Sequence, residues 1–446
     1  MLIPALLALL ALQLWLLWRS VDHALATDLP RGVWISAQLL GLAAAGVMLW
    51  RVGLVARYRS IPSVEDDQLP TVTVIVPAYN EGAQVYRTIE SLVASDYPRT
   101  RLKIVAVDDG SVDSTWGWMQ RAAADHPEQV TAIHCPVNRG KRHALHEGFE
   151  HAVGSVVVTV DSDSEVLADT LRNLVTPFVV DSRVGAVAGN VRVLNTAAGV
   201  LPRMLDVAFT YAFEFMRASE SEVDAVQCCP GALSAYRLRF VKLIADRWLE
   251  QTCFGRAANI GEDRAMTNLA LAAGYHVKLQ ANAIVLTEVP VGLRQLSKMF
   301  LRWARSNVRE TWVLGRFVFG DFRLGDKTGP RINFVWSVVT IVMGVGGFGL
   351  TLAALVTRPL LLAWIAVAAI ASALWPATIF AASRGLRGAL WAFPYAVLSA
   401  TVLAWIGPYG LFTVHRSGWL TRQTAALPSG RQPAGPSRPF PIVATR

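Results

Sequence analysis

Val156-Val157-Val158-Thr159-Val160-Asp161-Ser162-Asp163 is the stretch on which the reading of this chain turns. Its β-branched apolar run has the length of a buried strand, and it stops abruptly at two carboxylates spaced i, i+2. At that spacing both point to the same side just beyond the strand end. Such a pair suits a hard divalent cation, because Mg²⁺ and Mn²⁺ are held by one or two carboxylates together with the phosphates of a substrate. Alone, Asp-x-Asp after a strand is more often an ordinary turn. Its weight comes from what surrounds it.

Upstream, the chain alternates between two periodicities. Thr71 to Pro77 reads as a strand, 81–95 as a helix, Leu102 to Val107 as a strand, 112–125 as a helix, 129–135 as a strand, 140–153 as a helix and 155–160 as the strand before Asp161. This alternation predicts βαβ units and a largely parallel sheet, whose ligand crevice lies at the carboxyl ends of the strands. Polar residues collect at those ends: Tyr79-Asn80-Glu81 after the first strand, Asp108-Asp109-Gly110-Ser111 after the second and Asn138-Arg139-Gly140-Lys141-Arg142 after the third. The carboxylates can accept from a base N–H and ribose hydroxyls, the aromatic can stack on the base, and Lys141 and Arg142 can meet a diphosphate. Each could be a solvated loop residue, but four clusters at successive strand ends argue for one site. No Gly-x-Gly-x-x-Gly follows the first strand and no Gly-x-x-x-x-Gly-Lys-Ser/Thr occurs anywhere, which speaks against a dinucleotide oxidoreductase or a P-loop NTPase.

Composition points to a bilayer: 53% of the residues are hydrophobic and only 17% are charged. The excess is concentrated in runs near the length of a membrane span, at 2–18, 32–50, 332–356, 360–383 and 389–414. The first run has no basic start, is longer than a usual signal-peptide core and is followed at once by a second, so it reads as a retained helix. Residues 1–52 are then expected to hold two transmembrane helices, 332–414 about three, and 415–446 a basic, Pro-rich, disordered tail. Arg51, Arg57 and Arg59 flank the second run, and Arg384 and Arg387 separate the last two, so these segments and the large domain are expected on the cytoplasmic face of the cell (plasma or inner) membrane. One feature disagrees. Three carboxy-terminal spans would put the arginine-rich tail outside, so either the charge rule is broken or one run is re-entrant or interfacial.

The net charge of +9 fits an anionic leaflet and anionic nucleotides better than nucleic acid, since no DNA-binding motif or basic-aromatic stripe is present. The four cysteines include an adjacent pair, Cys228 and Cys229, and show neither a disulfide framework nor zinc spacing. They read as small buried hydrophobes.

At this point the residues carry a family resemblance. Val76 to Glu81, Val107 to Ser111, Asn138 to Arg142 and Asp161 to Asp163 resemble the successive nucleotide-sugar motifs of inverting family-2 glycosyltransferases. Cys228 to Arg237, Ile260-Gly261-Glu262-Asp263-Arg264, Leu301 to Ser306 with Arg309-Glu310, and Gly418-Trp419-Leu420-Thr421-Arg422 are similar to elements of the membrane-embedded synthases, closest to hyaluronan synthases and nodulation chitooligosaccharide synthases. The resemblance spans about 70–424. It implies an α/β nucleotide-diphospho-sugar transferase (GT-A-like) cytosolic domain, 66–290, inserted between transmembrane α-helices, with amphipathic interfacial helices at 291–325 carrying an Arg-Trp element. It also implies roles. Tyr79, Glu81 and Asp109 would bind uridine, Lys141 the diphosphate, and Asp161 and Asp163 the nucleotide with its Mg²⁺ or Mn²⁺; Asp263 matches the catalytic base, beside Glu262 in the same motif. An inverting transfer needs one carboxylate to take the acceptor proton, although acids in a first helical turn are also what a helix start favours.

Arg302 and Trp303 match the pair that in such enzymes lies near the diphosphate and the acceptor sugar, but where relatives write Gln-x-x-Arg-Trp this chain has Met299. Gln295, one helical turn earlier, can share that face. Trp303 and Phe300 could instead be interfacial anchors of an amphipathic helix over about 293–318. Three readings therefore stand. The first is a processive synthase that takes a UDP-sugar donor, expected as UDP-GlcNAc with or without UDP-GlcA, and extends and threads a growing glycan acceptor through its own spans. The second is a non-processive membrane transferase acting on a lipid-linked or short acceptor, against which Arg302-Trp303 counts. The third is an inactive transport or assembly subunit, against which the intact carboxylates count.

Overall fold

The computed structural model describes residues 31–416 apart from 358 and 359, with five isolated positions before residue 31. The run 2–18 and the tail from 417, with Gly418 to Arg422, therefore lie largely or wholly outside the described residues.

Eight strands form one sheet in the order β3-β2-β1-β4-β7-β6-β10-β5: β1 Val72–Ala78, β2 Leu102–Asp108, β3 Val130–His134, β4 Val156–Val160, β5 Ser164–Val166, β6 Val184–Val193, β7 Leu233–Arg237 and β10 His276–Thr287. A small hairpin, β8 Thr252–Cys253 with β9 Arg256–Ala257, stands apart. The βαβ half matches the sequence expectation, with helices Gln84–Val93, Thr115–Asp125 and Lys141–His151 between parallel strands. The rest corrects it. β7 runs antiparallel between β4 and β6, and β5 antiparallel on β10, so the sheet is mixed. β1 is buried at all seven positions and β4 at all five, the signature of strands covered on both faces.

The crevice opens where β1 and β4 part. Their pairing ends at Ile75 and Thr159, and Pro77, which has no N–H to donate, follows two residues after Ile75. Beyond that point Tyr79 and Asp161 line the cavity.

Among the described residues, three helices contain a stretch long and apolar enough to cross a membrane: Leu39–Arg57, Thr328–Ala353 and Ile365–Arg384. They belong to helices Arg31–Arg57, Thr328–Thr357 and Leu360–Arg384. The last apolar run is not a third straight carboxy-terminal span. It breaks into Leu386–Thr401 and Ile406–Phe412, bent by 45°, as a broken span or a re-entrant loop. The amphipathic element is a single helix, Leu293–Gly315, three residues shorter than the sequence suggested.

Candidate active site

A cavity of about 910 Å³ lies at the carboxyl ends of β1, β2 and β4, and its lining takes in the Tyr79, Lys141, Asp161, Asp263 and Arg302 clusters together. Its floor is braced by the strand-end turns. Glu81 accepts from Ser162 Oγ at 3.1 Å, while its peptide N–H donates to Thr115 Oγ1 at 2.8 Å, so the β1 turn is tied to the Asp161-Ser162-Asp163 turn. Asp109 also lines the cavity, yet its two oxygens accept the Arg139 and Gly140 N–H groups at 3.0 and 2.7 Å. Burial pushes its carboxyl above the usual range against those two bonds. Asp109 thereby fixes the loop that delivers Lys141.

Lys141 Nζ donates to Asp161 Oδ1 and lies 3.3 Å from Glu262 Oε1. Burial works against its charge, but Asp161 and Glu262 outweigh burial and raise its pKa. Gly231 permits this approach, because a Cβ there would stand 2.6 Å from Lys141 Nζ. Asp163 accepts from Ser164 Oγ at 3.2 Å and Thr287 Oγ1 at 3.4 Å, which joins the turn to the end of β10.

Arg142, expected at the diphosphate, is not in the cavity. It is 2% exposed, donates to the Trp248 carbonyl at 2.8 Å and Gln251 Oε1 at 3.1 Å, and lies 5.0 Å over the Trp248 ring. Burial lowers its pKa to about 10. The reason is helical geometry. Neighbouring residues on a helix point about 100° apart, so with Lys141 aimed at the cavity Arg142 is turned inward.

Glu262 and Asp263 open the helix Glu262–Ala272 after Gly261, whose φ of 70° is left-handed. A Cβ at Gly261 would fall 1.8 Å from Ser306 Oγ, so glycine lets the Leu293–Gly315 helix press against this turn. From behind, Arg309 donates to the Ile260 carbonyl, and Glu310 accepts from Gln251 at 3.0 Å and Asn268 at 2.9 Å. Burial would raise Glu262, but Lys141 and Arg302 overcome it and hold Glu262 below the usual range. Asp263 goes the other way: burial first, then the charge of Glu262, lift its carboxyl. Its Oδ1 accepts the Arg264 N–H at 2.7 Å and its Oδ2 is 3.6 Å from Cys228 Sγ. The neighbouring carboxylates are thus split into one kept ionised by cations and one of greater proton affinity.

On the Leu293–Gly315 helix, Gln295, Met299, Arg302 and Trp303 all line the cavity, as their i, i+4, i+7 and i+8 spacing requires. The indole of Trp303 remains 38% exposed, available to a ring that enters. Arg217 and Glu220, on a helix to which the sequence reading assigned no role, also line the wall. Arg217 lies 4.5 Å over Phe213 and donates to the Cys228 carbonyl. The available signal was an arginine and a glutamate set among phenylalanines. All four cysteines are unpaired.

Among the described residues no three His, Cys, Asp or Glu side chains converge as a metal cage. Asp161 and Asp163, both on the cavity wall, are the carboxylates that would hold a Mg²⁺ or Mn²⁺ shared with phosphates.

The sequence profile described as "Glycosyltransferase like family 2" matches residues 70–306, more than half of the chain. An N-acetylglucosaminyltransferase of Rhizobium leguminosarum bv. viciae is 30% identical over 368 residues, 82% of this chain and 84% of that protein. One of Rhizobium meliloti (strain 1021) is 30% identical over 366 residues, 81% and 84% of the two. Among solved structures, the mannosyltransferase PcManGT from Pyrobaculum calidifontis in complex with GDP-Man and Mn²⁺ shares the fold at a TM-score of 0.52 and 23% identity, over 84% of this chain and 98% of that one. The molecule is a GT-A-like glycosyltransferase flanked by helices apolar enough to span a membrane. It belongs to glycosyltransferase family 2 and is an enzyme that transfers a sugar.

Proposed function

We propose that this enzyme is an inverting β-N-acetylglucosaminyltransferase that uses UDP-GlcNAc to extend an oligo- or polysaccharide at the membrane. The observation that carries the reading is that Lys141, Asp161, Glu262, Asp263, Arg302 and Trp303 share one cavity. Its volume of about 910 Å³ is at the upper end for small-molecule sites, leaving room for a donor and an acceptor sugar. The names of the relatives support GlcNAc as the transferred sugar.

Tyr79 and Glu81 would receive the uridine at the end of β1, and Asp109 would present the Lys141 loop to the diphosphate. Asp161 and Asp163 would hold Mg²⁺ or Mn²⁺. When bound, that ion neutralises charge on the departing diphosphate. Lys141 and Arg302 add fixed positive charge on the same side, preorganised for the leaving group. Asp263, whose proton affinity is raised, would take the acceptor hydroxyl proton while Glu262 keeps Lys141 and Arg302 in place. Trp303 offers a flat apolar face to the acceptor ring, which favours an acceptor that remains bound over one that leaves after each transfer.

Arg57, Arg59, Arg384 and Arg387 then mark the cytoplasmic side. If the bent pair Leu386–Thr401 and Ile406–Phe412 is re-entrant, the basic tail returns to that side and the conflict in the charge pattern disappears. Radiolabel transfer from UDP-GlcNAc and UDP-GlcA, separately and together, with sizing of the product, tests the reading. A chain of several GlcNAc units from UDP-GlcNAc alone is the expected result; no transfer from it, or chain extension only when both donors are present, overturns it.

A further inference from the structure

Trp303 owes its place to another helix. Its ring centroid lies 6.0 Å from that of Phe209 and 6.4 Å from that of Phe213. These rings are buried and stand on the helix Val200–Phe209 and the wide-turned segment Thr210–Met216 that continues it. A π-turn departs from the ordinary side-chain register and is uncommon outside functional sites. Something beyond the helix itself must hold the two rings in register.

Two carboxylates bracket the shelf. Asp206 precedes Phe209 by one turn and Glu214 directly follows Phe213. Both reach one guanidinium, that of Arg384 at the end of the span helix Leu360–Arg384: Nη1 donates to Asp206 Oδ1 at 2.7 Å and Nη2 is 3.9 Å from Glu214 Oε2. Arg192 of β6 balances Glu214 at 3.7 Å, and Asn190 donates to it at 3.3 Å. The Arg384 and Asp206 side chains are 19% and 15% exposed, so the pair is sheltered from solvent screening. Apolar packing follows the same line, with Val207 against Ala377 and Phe380, and Phe215 against Trp375 and Ile379.

We propose that Arg384 is a positioning residue of the transfer reaction: from the end of a membrane span it fixes the Phe209–Phe213 shelf and thereby sets the Trp303 indole against the acceptor sugar. This rests on Trp303 being the acceptor platform of the proposed function. Arg384 touches neither the donor turns nor Asp263. Loosening it tilts the indole and leaves the strand-end donor site intact, so the acceptor is lost between transfers while the donor binds as before.

The test compares wild type, Trp303→Ala and the charge-balanced double variant Asp206→Asn/Arg384→Gln, which retains the Arg192–Glu214 pair, as full-length protein in membranes. Product length and the donor KM are read separately from the rate of the first transfer. The double variant is expected to shorten its products to those of Trp303→Ala, with the donor KM unchanged. A purely structural defect would lower all rates without a selective loss of length, and that outcome overturns the proposal. Wild-type length from the double variant beside short products from Trp303→Ala rejects the coupling alone; wild-type length from Trp303→Ala rejects the acceptor reading and the coupling with it. Should the double variant fail to reach the membrane, Arg384→Lys, which keeps the charge but cannot fork to both carboxylates, is judged by the same readout.

Discussion

The half of the cavity proposed to take the donor stands on strand ends, whereas the half proposed for the acceptor stands on helices that meet the spans. On the strand-end side Glu81, Asp109, Asp161 and Asp163 follow parallel strands within a few residues; backbone N–H groups or neighbouring hydroxyls fix Glu81, Asp109 and Asp163, and Lys141 holds Asp161. On the acceptor side Trp303 depends on Phe209 and Phe213, residues about ninety positions away, and these in turn on Arg384. The first half is built from local contacts. The second is assembled from distant elements, so it is where length and acceptor choice can be tuned without disturbing donor binding.

The comparison is broken most severely at the donor end. Asp163→Asn should abolish turnover and its dependence on added Mg²⁺ or Mn²⁺ while the protein remains folded in membranes; persistent metal-stimulated transfer would remove Asp163 from the site. Asp263→Asn retains size and most hydrogen bonding but cannot accept a proton, so kcat should fall by about 10²–10⁴-fold with donor affinity little changed. Equal loss of UDP-sugar binding would make Asp263 a nucleotide ligand instead.

Arg142→Ala sharpens the boundary of the donor half. It should lower stability by about 1–3 kcal/mol, the cost of leaving the Trp248 carbonyl and Gln251 without their partner, and thermal unfolding in detergent should report it. Donor KM should not move in the fraction that remains folded, and a selective rise in KM would return Arg142 to the diphosphate.

The carboxylate pair gives a pH test. Burial and Glu262 raise Asp263, while Lys141 and Arg217 pull it down without cancelling them. The base is therefore protonated, and activity lost, at a higher pH on acidification than for an ordinary carboxylate. Glu262→Gln removes one raising charge and should shift the acid limb of the kcat profile to lower pH. A limb that stays or rises would exclude Asp263 as the titrating base.

The smallest effect is expected at Met299. Because Gln295 already lines the cavity one turn away, Met299→Gln should tighten the donor or lengthen the product by no more than about 1 kcal/mol, the scale of one hydrogen bond. An unchanged or shorter product would mean that the site is packed around a different acceptor.

Sequence alone determined which strand-end residues reach the cavity, because a parallel strand and its following turn place a residue by number. An apolar run that ends in a carboxylate puts that carboxylate at the crevice wherever the strand sits in the sheet. The helix start at Glu262 and Asp263 and the shared face of Gln295, Met299 and Arg302 were legible for the same local reason. Tertiary structure alone decided the rest. Lys141 and Arg142 are adjacent letters of equal charge, and only the packing of their helix turns one to the cavity and the other under Trp248. The antiparallel insertion of β7 and the meeting of Asp206, Glu214 and Arg384 each join segments far apart in the chain, and no periodicity within a segment records which distant partner will cover it.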